Sequence, residues 1–467
     1  MTIACPVDPR LPGLAAALDA DHVAALLAAR LRAQGNNGIC VADVHPVYIR
    51  YKPLTNAVIL HRALLRDATG SSVEQPVALT LYPGDHATAI AGRRRSRELC
   101  ARLPRGGWPL TGAWSEPSLG ALAQGFPFDR GLPGLATVID PRLLAAVIAH
   151  GRPGDPPPRG LAITLLRYKP GRRAVLRAAA ADGRRWYVKV GAELRPALLE
   201  CLARGLTELG IRTPAIVAAC PDEDIVVQAG LDGTSLMALP ASRRSDSPDG
   251  VDRAAAPSAD QVCALLRRVQ RLEPAVVPGL AARDPIAVLA RAVAALDPLL
   301  PARAADLARL AAGIEKAWRR LPPSPMVLVH GDFYEDQILV DDHKGIALLD
   351  WDEAGLGPAA LDAACWLAHA QAAALEGEPA PVAAEAIRAA WLAARPEDAQ
   401  RLDLLAAIQL LALAPGPFRR LEPGWPQAVE RRWRQVEDHM YHLTDAEAVT
   451  SGSPRRLPSQ TTPFLEG

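Results

Sequence analysis

The sequence predicts an α+β fold, β-rich over its first half and helical over its second. Three observations predict it. A strand-turn-strand segment occurs twice, each copy is followed by a further strand and a helical stretch, and from Ala259 onward apolar residues recur mostly at helical spacing.

The repeat is explicit. Residues 49–59 read Ile-Arg-Tyr-Lys-Pro-Leu-Thr-Asn-Ala-Val-Ile, and residues 166–176 read Leu-Arg-Tyr-Lys-Pro-Gly-Arg-Arg-Ala-Val-Leu, identical at six of eleven positions with an offset of 117. In each copy two apolar runs flank a proline-containing turn, the pattern of a β-hairpin. The next strands are expected at 77–82 and 186–190, and the helices after them at 87–103 and 193–209. The matching order of elements reads as duplication of one sheet-plus-helix unit.

Beyond the second copy, strands are expected at 215–219 and 224–229, followed by a turn at 230–233. Residues 240–258 are polar and rich in helix breakers, which makes them a linker. Helical spacing then runs through Leu321. Segments 326–329, 338–340 and 345–349 read as strands, and four further helices fit between Gly357 and Leu443. The tail from Thr450, rich in Ser, Thr, Pro and Gly, reads as disordered.

At 467 residues the chain is expected to form two or three domains, and with 49% hydrophobic residues it can bury a large core. A formal charge of +1 argues against a nucleic-acid or anionic-membrane partner, since these select a basic surface. The basic run Arg93, Arg94, Arg95 and Arg97 reads as a solvated helix face. Seven cysteines (Cys5, Cys40, Cys100, Cys201, Cys220, Cys263 and Cys365) show no CxxC spacing, so neither a zinc site nor a disulfide framework is expected. The first residues lack the basic and apolar regions of a secretion signal, and no apolar run reaches the length of a membrane span. The expected location is the cytoplasm. Lysine is scarce beside arginine, occurring only at 52, 169, 189, 316 and 344. A lysine retained in such a chain marks a place where arginine does not serve.

The chemistry concentrates in two stretches, Val329-His-Gly-Asp-Phe-Tyr-Glu-Asp-Gln-Ile-Leu339 and Ile346-Ala-Leu-Leu-Asp-Trp-Asp352. Phosphoryl transfer asks a protein to hold an acceptor oxygen in line with phosphorus and to supply positive charge around the transferring group. Asp332, just past an apolar strand and His330, is placed to orient an acceptor hydroxyl and take its proton. Gln337 returns towards the same point five residues later, and Asp350 ends the next apolar strand. An amide oxygen and a carboxylate converging from adjacent strands make a hard oxygen site suited to Mg²⁺. His330 reads as a packed structural histidine.

These residues resemble the HxDxxxxN catalytic loop and metal-binding aspartate of the aminoglycoside phosphotransferase and choline kinase-like superfamily, relatives of the protein kinases. Gly357-Pro-Ala-Ala-Leu-Asp362 resembles a helix start of the same family. The likeness covers about 161–370 in register. It implies a protein-kinase-like two-lobed fold, with a small β-rich nucleotide lobe, a large helical lobe and, here, an extra N-terminal domain. It also implies that Asp332 is the catalytic base, with Asp350 and Gln337 as metal ligands. Gln337 stands where the family usually has Asn. Maltokinases resemble this sequence in having Gln there, and differ in carrying Phe-Glu where this chain has Trp351-Asp352.

By the same resemblance a strand lysine clamps the nucleotide phosphates and is held by a carboxylate on the following helix. Lys189 lies in the alternating strand at 186–190, where an inward lysine must be paired. Glu200 is its expected partner, with Glu193 left to helix capping. The turn holding Gly171, Arg172 and Arg173 occupies the phosphate-covering position but is neither a Walker motif nor GxGxxG. Gly171 and Arg172 are taken as nucleotide contacts. The first repeat has Thr80 in place of Lys189 and Leu54 in place of Gly171, so it is expected to serve as a cap without a phosphate clamp.

The expected domains are therefore 1–150, a cap containing the degenerate repeat; 151–231, the nucleotide lobe; 232–449, the helical lobe; and 450–467, the tail. The expected function is transfer of the γ-phosphoryl group of ATP or GTP, with Mg²⁺, to a hydroxyl of a sugar, amino alcohol or aminoglycoside. The alternative is a nucleotide-binding pseudokinase or regulatory module without turnover.

Overall fold

A computed structural model describes residues 4–91, 93–104, 107–239, 256–342, 345–378 and 382–451. Most of the expected linker, residues 240–255, and the tail from 452 lie outside the described residues.

Two antiparallel sheets of identical strand order follow one another. The first is introduced by α1 (Leu14–Leu18) and α2 (Ala20–Ala33). It contains β1 (Ile39–Lys52), β2 (Asn56–Asp67), β3 (Ser72–Leu81), β4 (Gly112–Glu116) and β5 (Ala121–Gly125), ordered β1-β2-β3-β5-β4. Between β3 and β4 lie α3 (His86–Ala91) and α4 (Arg94–Arg102), where one helix was expected; extended backbone at Arg93 divides them.

The second sheet is introduced by α5 (Leu135–Val138) and α6 (Pro141–Gly151). Its strands are β6 (Ala162–Lys169), β7 (Arg173–Ala179), β8 (Arg185–Val190), β9 (Ile216–Cys220) and β10 (Ile225–Ala229), ordered β6-β7-β8-β10-β9, with α7 (Pro196–Glu208) before β9.

The registers coincide as well. Arg50, Val58, Thr80 and Leu122 face one another across the first sheet. Arg167, Val175, Lys189 and Val226 do so across the second. Thr80 thus holds the position of Lys189.

A further repeated segment fixes where each unit begins. Asp8–Leu14 and Asp129–Leu135 both read Asp-x-x-Leu-Pro-Gly-Leu. Asp8 Oδ2 accepts from the Tyr51 hydroxyl at 2.9 Å and the Leu54 amide at 2.8 Å. Asp129 Oδ2 accepts from the equivalent Tyr168 hydroxyl at 2.8 Å and Gly171 amide at 2.7 Å. Asp19 and Asp140 then cap α2 and α6. The second unit therefore starts at Asp129. The expected boundary at 150 falls inside it, because α6 buries Leu144 and Ile148 against Val217 and Val188 of its own sheet.

The helical lobe begins with β11 (Thr234–Ser235), α8 (Ala259–Val269), β12 (Ala281–Ala282), α9 (Pro285–Leu296) and α10 (Ala304–Arg320). Four short strands follow: β13 (Met326–Val329), β14 (Ile338–Asp341), β15 (Gly345–Leu348) and β16 (Gly355–Pro358). Then come α11 (Leu361–Leu375), α12 (Ala384–Ala394), α13 (Ala399–Leu413), α14 (Gly416–Arg419) and α15 (Trp425–Ser451). Two three-stranded sheets, β11-β14-β15 and β12-β16-β13, carry the loops that matter for chemistry.

Burial of apolar surface joins the parts. One face of the first sheet, with Ile49, Leu65 and Leu79, shares a core with Leu289 of α9, Ile408 of α13 and Trp433 of α15. Leu60 and Phe126 share another core with Tyr168, Leu176 and Val188 of the second sheet. The N-terminal unit thus packs against both lobes. The stretch Pro396–Arg419 is long and apolar enough for a membrane span, but 78% of its most apolar 18-residue window is buried inside the protein.

Candidate active site

The loop that carries Asp332 leaves β13 at Val329 and is held from beneath. Asp362, fully buried in the first turn of α11, accepts the Gly331 amide at 2.9 Å and the His330 amide at 2.8 Å. The His330 ring packs against Phe333 and Trp351 and donates through Nε2 to the Leu349 carbonyl at 2.7 Å. It is structural, as read from the sequence. Gly331 has φ +83°, and a Cβ there would lie 2.2 Å from the Glu353 carbonyl oxygen.

Asp332 projects from this loop into the cleft. Its carboxyl is raised by burial, with Asp350 and Glu353 adding to the rise and His330 opposing it. Gln337 is buried, and its backbone carbonyl accepts the Leu349 amide at 2.9 Å, which sets the start of β14 beside the residue preceding Asp350. Asp350 itself takes a left-handed conformation, φ 56° and ψ 56°, uncommon for a residue with a side chain.

Lys189 meets this loop directly. Its buried ammonium lies 2.5 Å from Asp350 Oδ1 and 2.8 Å from Asp352 Oδ1. Arg173 Nη1 reaches Asp352 Oδ2 at 2.9 Å and Asp350 Oδ1 at 3.9 Å. Burial favours the neutral form of both carboxyls, but at Asp350 the Lys189 and Arg173 charges outweigh it and hold the group well below the usual carboxylate range. Asp352 is raised, by burial and by the Asp350 charge, against the pull of Lys189.

Other expected contacts differ. Glu200 does not meet Lys189: α7 turns Leu198, Leu199, Leu202 and Leu206 into the core and leaves Glu200 exposed. The counter-charge comes from Asp350 and Asp352 instead. Arg195, just before α7, ties the helix to the same loop by donating from Nη2 to the Asp352 and Ala354 carbonyls, each at 3.1 Å. Gly171 has φ +68° in the turn before β7, its amide engaged by Asp129. Arg172 points away to Glu193, at 3.5 Å, while Arg173, one residue on, enters the site.

Several contributors were not singled out from sequence. Asp352, Arg195 and the anchoring role of Asp362 are three. The Asp-Trp-Asp spacing at a strand end was the available signal for the first. Lys169 faces the cleft, its ammonium lowered to about 8 by burial and by Arg167, Arg173 and Arg172, with Asp332 opposing. Tyr334 stacks on His369 at 4.1 Å, and His369 Nε2 lies 3.9 Å from Asp332 Oδ1. Burial lowers that imidazole to about 4, so it is neutral at pH 7.

A cavity of about 280 Å³ opens beside Asp332, lined by Arg283, Arg291, Glu353 and Gln409. Arg283 Nη1 pairs with Glu353 Oε2 at 2.6 Å. The oxygen-bearing side chains of Asp350, Asp352 and Gln337 suit a hard divalent cation. The ammonium bridging the two carboxylates marks a point where positive charge is required. Among the described residues no three His, Cys, Asp or Glu side chains form a metal cage. Mg²⁺ asks for less, since it binds through one or two carboxylates plus water and phosphate oxygens.

No curated protein matches this chain. Among solved structures, an aminoglycoside 2'-phosphotransferase mutant in its GDP complex is similar at 14% identity, covering 67% of this chain and 100% of that one with a TM-score of 0.44. A choline/ethanolamine kinase family protein from Mesorhizobium loti is similar at 17% identity, covering 65% and 92% with a TM-score of 0.43. Choline kinase from Cryptosporidium parvum is similar at 12% identity, covering 67% and 97% with a TM-score of 0.45. Residues 162–405, more than half of the chain and including every residue of the Lys189–Asp332–Asp350 site, match the phosphotransferase enzyme family known as APH, and the chain belongs to that family.

Proposed function

We propose that the protein transfers the γ-phosphoryl group of ATP or GTP to a hydroxyl of a small molecule. The observation that carries this reading is the meeting of Lys189 from the second sheet with Asp350 and Asp352, with Asp332 and Glu353 lining a cavity that can take an acceptor.

Asp332 orients the acceptor hydroxyl and receives its proton as the oxygen bonds to the γ-phosphorus. The bond to the β-γ bridging oxygen breaks, and the nucleoside diphosphate leaves. Holding the acceptor in line is the larger part of the task. Lys189 and Arg173 supply positive charge to the phosphates, and Asp350, Asp352 and Gln337 are the residues that would hold Mg²⁺. When bound, that ion screens the phosphate charge. The raised Asp332 carboxyl suits a proton acceptor whose pKa lies nearer neutrality than that of a free aspartate.

The acceptor cavity balances Arg283 and Arg291 against Asp332 and Glu353. A polycation asks for an acidic pocket, so this lining favours neutral or anionic hydroxylated acceptors, such as sugars or sugar acids, over aminoglycosides. The Gln337 departure from the usual Asn and the degenerate first repeat leave open a second reading, nucleotide binding without turnover.

The test is nucleotide consumption with Mg²⁺ across sugars, sugar acids, amino alcohols and aminoglycosides, with Asp332→Ala as control. Acceptor-dependent turnover that falls about 100-fold or more in Asp332→Ala is the expected result. Tight nucleotide binding with no acceptor-dependent turnover would favour the second reading.

A further inference from the structure

The N-terminal sheet keeps, on the face equivalent to the nucleotide face of the second sheet, a polar cavity that nothing in the catalytic reading uses. It measures about 290 Å³. Its floor is the row Arg50, Val58, Thr80 and Leu122, which matches Arg167, Val175, Lys189 and Val226 position by position. In the second sheet the lysine crosses the cleft to two carboxylates. In the first, the short Thr80 leaves that volume open.

The lining selects for an anion. Two guanidinium groups, Arg50 and Arg130, border the cavity together with the Asn56 and Gln124 amides and the Thr80 hydroxyl. Neither arginine has a carboxylate partner among the described ion pairs. Arg50 Nε and Arg130 Nη1 are donors buried without a hydrogen-bond partner among the described residues. Two unpaired donors beside one cavity are costly unless an acceptor reaches them. One carboxylate, Asp129, also borders the space, but its oxygens are taken up by the Gly131 amide at 2.7 Å, the Tyr168 hydroxyl and the Gly171 amide. Pro170 and Gly171, from the turn between β6 and β7, also line it.

We infer that this cavity binds a small phosphate-bearing ligand, held by Arg50 and Arg130 with Asn56, Thr80 and Gln124, at a site separate from the catalytic cleft. Arginine matches the paired oxygens of a phosphate in its fixed fork geometry, and the amides and hydroxyl supply further donors. The duplicated unit has lost its lysine clamp and, on this reading, kept an anion site.

The test is a calorimetric titration of the full chain with inorganic phosphate and, separately, glycerol 3-phosphate. Three proteins are compared: the parent, Lys189→Met, and the double variant Arg50→Gln/Arg130→Gln. The expected result is binding to the parent and to Lys189→Met with affinity within about threefold, and at least tenfold weaker binding to the double variant. Tighter binding of the ester than of free phosphate marks an ester as the ligand class, and the reverse marks the free anion. If the double variant does not fold, Thr80→Glu, which places a carboxylate in the cavity, is expected to show the same loss. Affinity unchanged in the double variant or in Thr80→Glu, or lost in Lys189→Met alone, would overturn the inference.

Discussion

Asp362 accepts the His330 amide at 2.8 Å, so the first turn of α11 fixes the strand end from which Asp332 projects. The carboxylate touches no reacting atom in the proposed chemistry. It acts by holding two consecutive backbone amides, those of His330 and Gly331.

Asp362→Asn replaces one of those acceptors with a donor facing an amide. The loss of a buried, charge-assisted bond costs about 1–3 kcal/mol. The expected outcome is a fall in kcat of about tenfold or more with nucleotide KM changed by less than about threefold, because the loop shifts while Lys189 stays. Unchanged kcat in a steady-state assay would remove Asp362 from this role.

Lys189→Met and Glu200→Ala separate the observed pairing from the one expected from sequence. The first leaves the Asp350–Asp352 pair with Arg173 alone, and kcat/KM for nucleotide should fall at least about tenfold. Glu200 is exposed and has no part in the cluster, so its removal should change stability by no more than about 0.5 kcal/mol and leave kinetics intact. Equal defects in the two variants would restore Glu200 as the partner.

Gly331→Ala forces a side chain into a left-handed backbone position and against the Glu353 carbonyl. Strain of about 1–3 kcal/mol is expected, read as a lower melting temperature together with reduced turnover. A variant as stable and active as the parent would contradict the loop geometry.

His61 provides a pH signature away from the site. It is fully buried, donates to the Ala17 carbonyl at 3.0 Å, and burial lowers its imidazole from 6.5 to about 4. Between those values the unfolded chain binds more protons than the folded one, so stability is full above about pH 6.5 and falls as pH drops towards 4. From pH 7 to pH 5 the loss due to this residue is on the order of 2 kcal/mol. His61→Gln, which keeps a donor, should show a shallower acid slope in urea unfolding at the two pH values. Identical slopes would assign the acid sensitivity elsewhere.

Much of the catalytic loop was legible because its residues sit next to apolar strands, and strand ends converge when the strands pair. The placement of Asp332 past β13 and of Asp350 past β15 needed only that inference. The partner of Lys189 was not legible. It depends on how β8 faces the end of β15, across more than 150 residues, and no local pattern records that packing. The choice between Arg172 and Arg173 turned on a single position, and successive residues entering a strand point to opposite faces. The start of the second unit was missed for a different reason. The Asp-x-x-Leu-Pro-Gly-Leu segments recur at a spacing four residues longer than that of the Arg-Tyr-Lys-Pro segments, so one fixed offset does not find both.

The core shared between the first sheet and helices α9, α13 and α15 bears on how this chain can be divided. A fragment trimmed to the family's segment, 162–405, would lay bare Leu289 and Leu404 and would discard the α15 side chains that seal them. Such a piece would expose a broad greasy flank to water and be prone to clump. Expression trials, evolutionary grafts and inhibitor screens alike must therefore treat the leading region as a wall of the helical lobe and keep it attached.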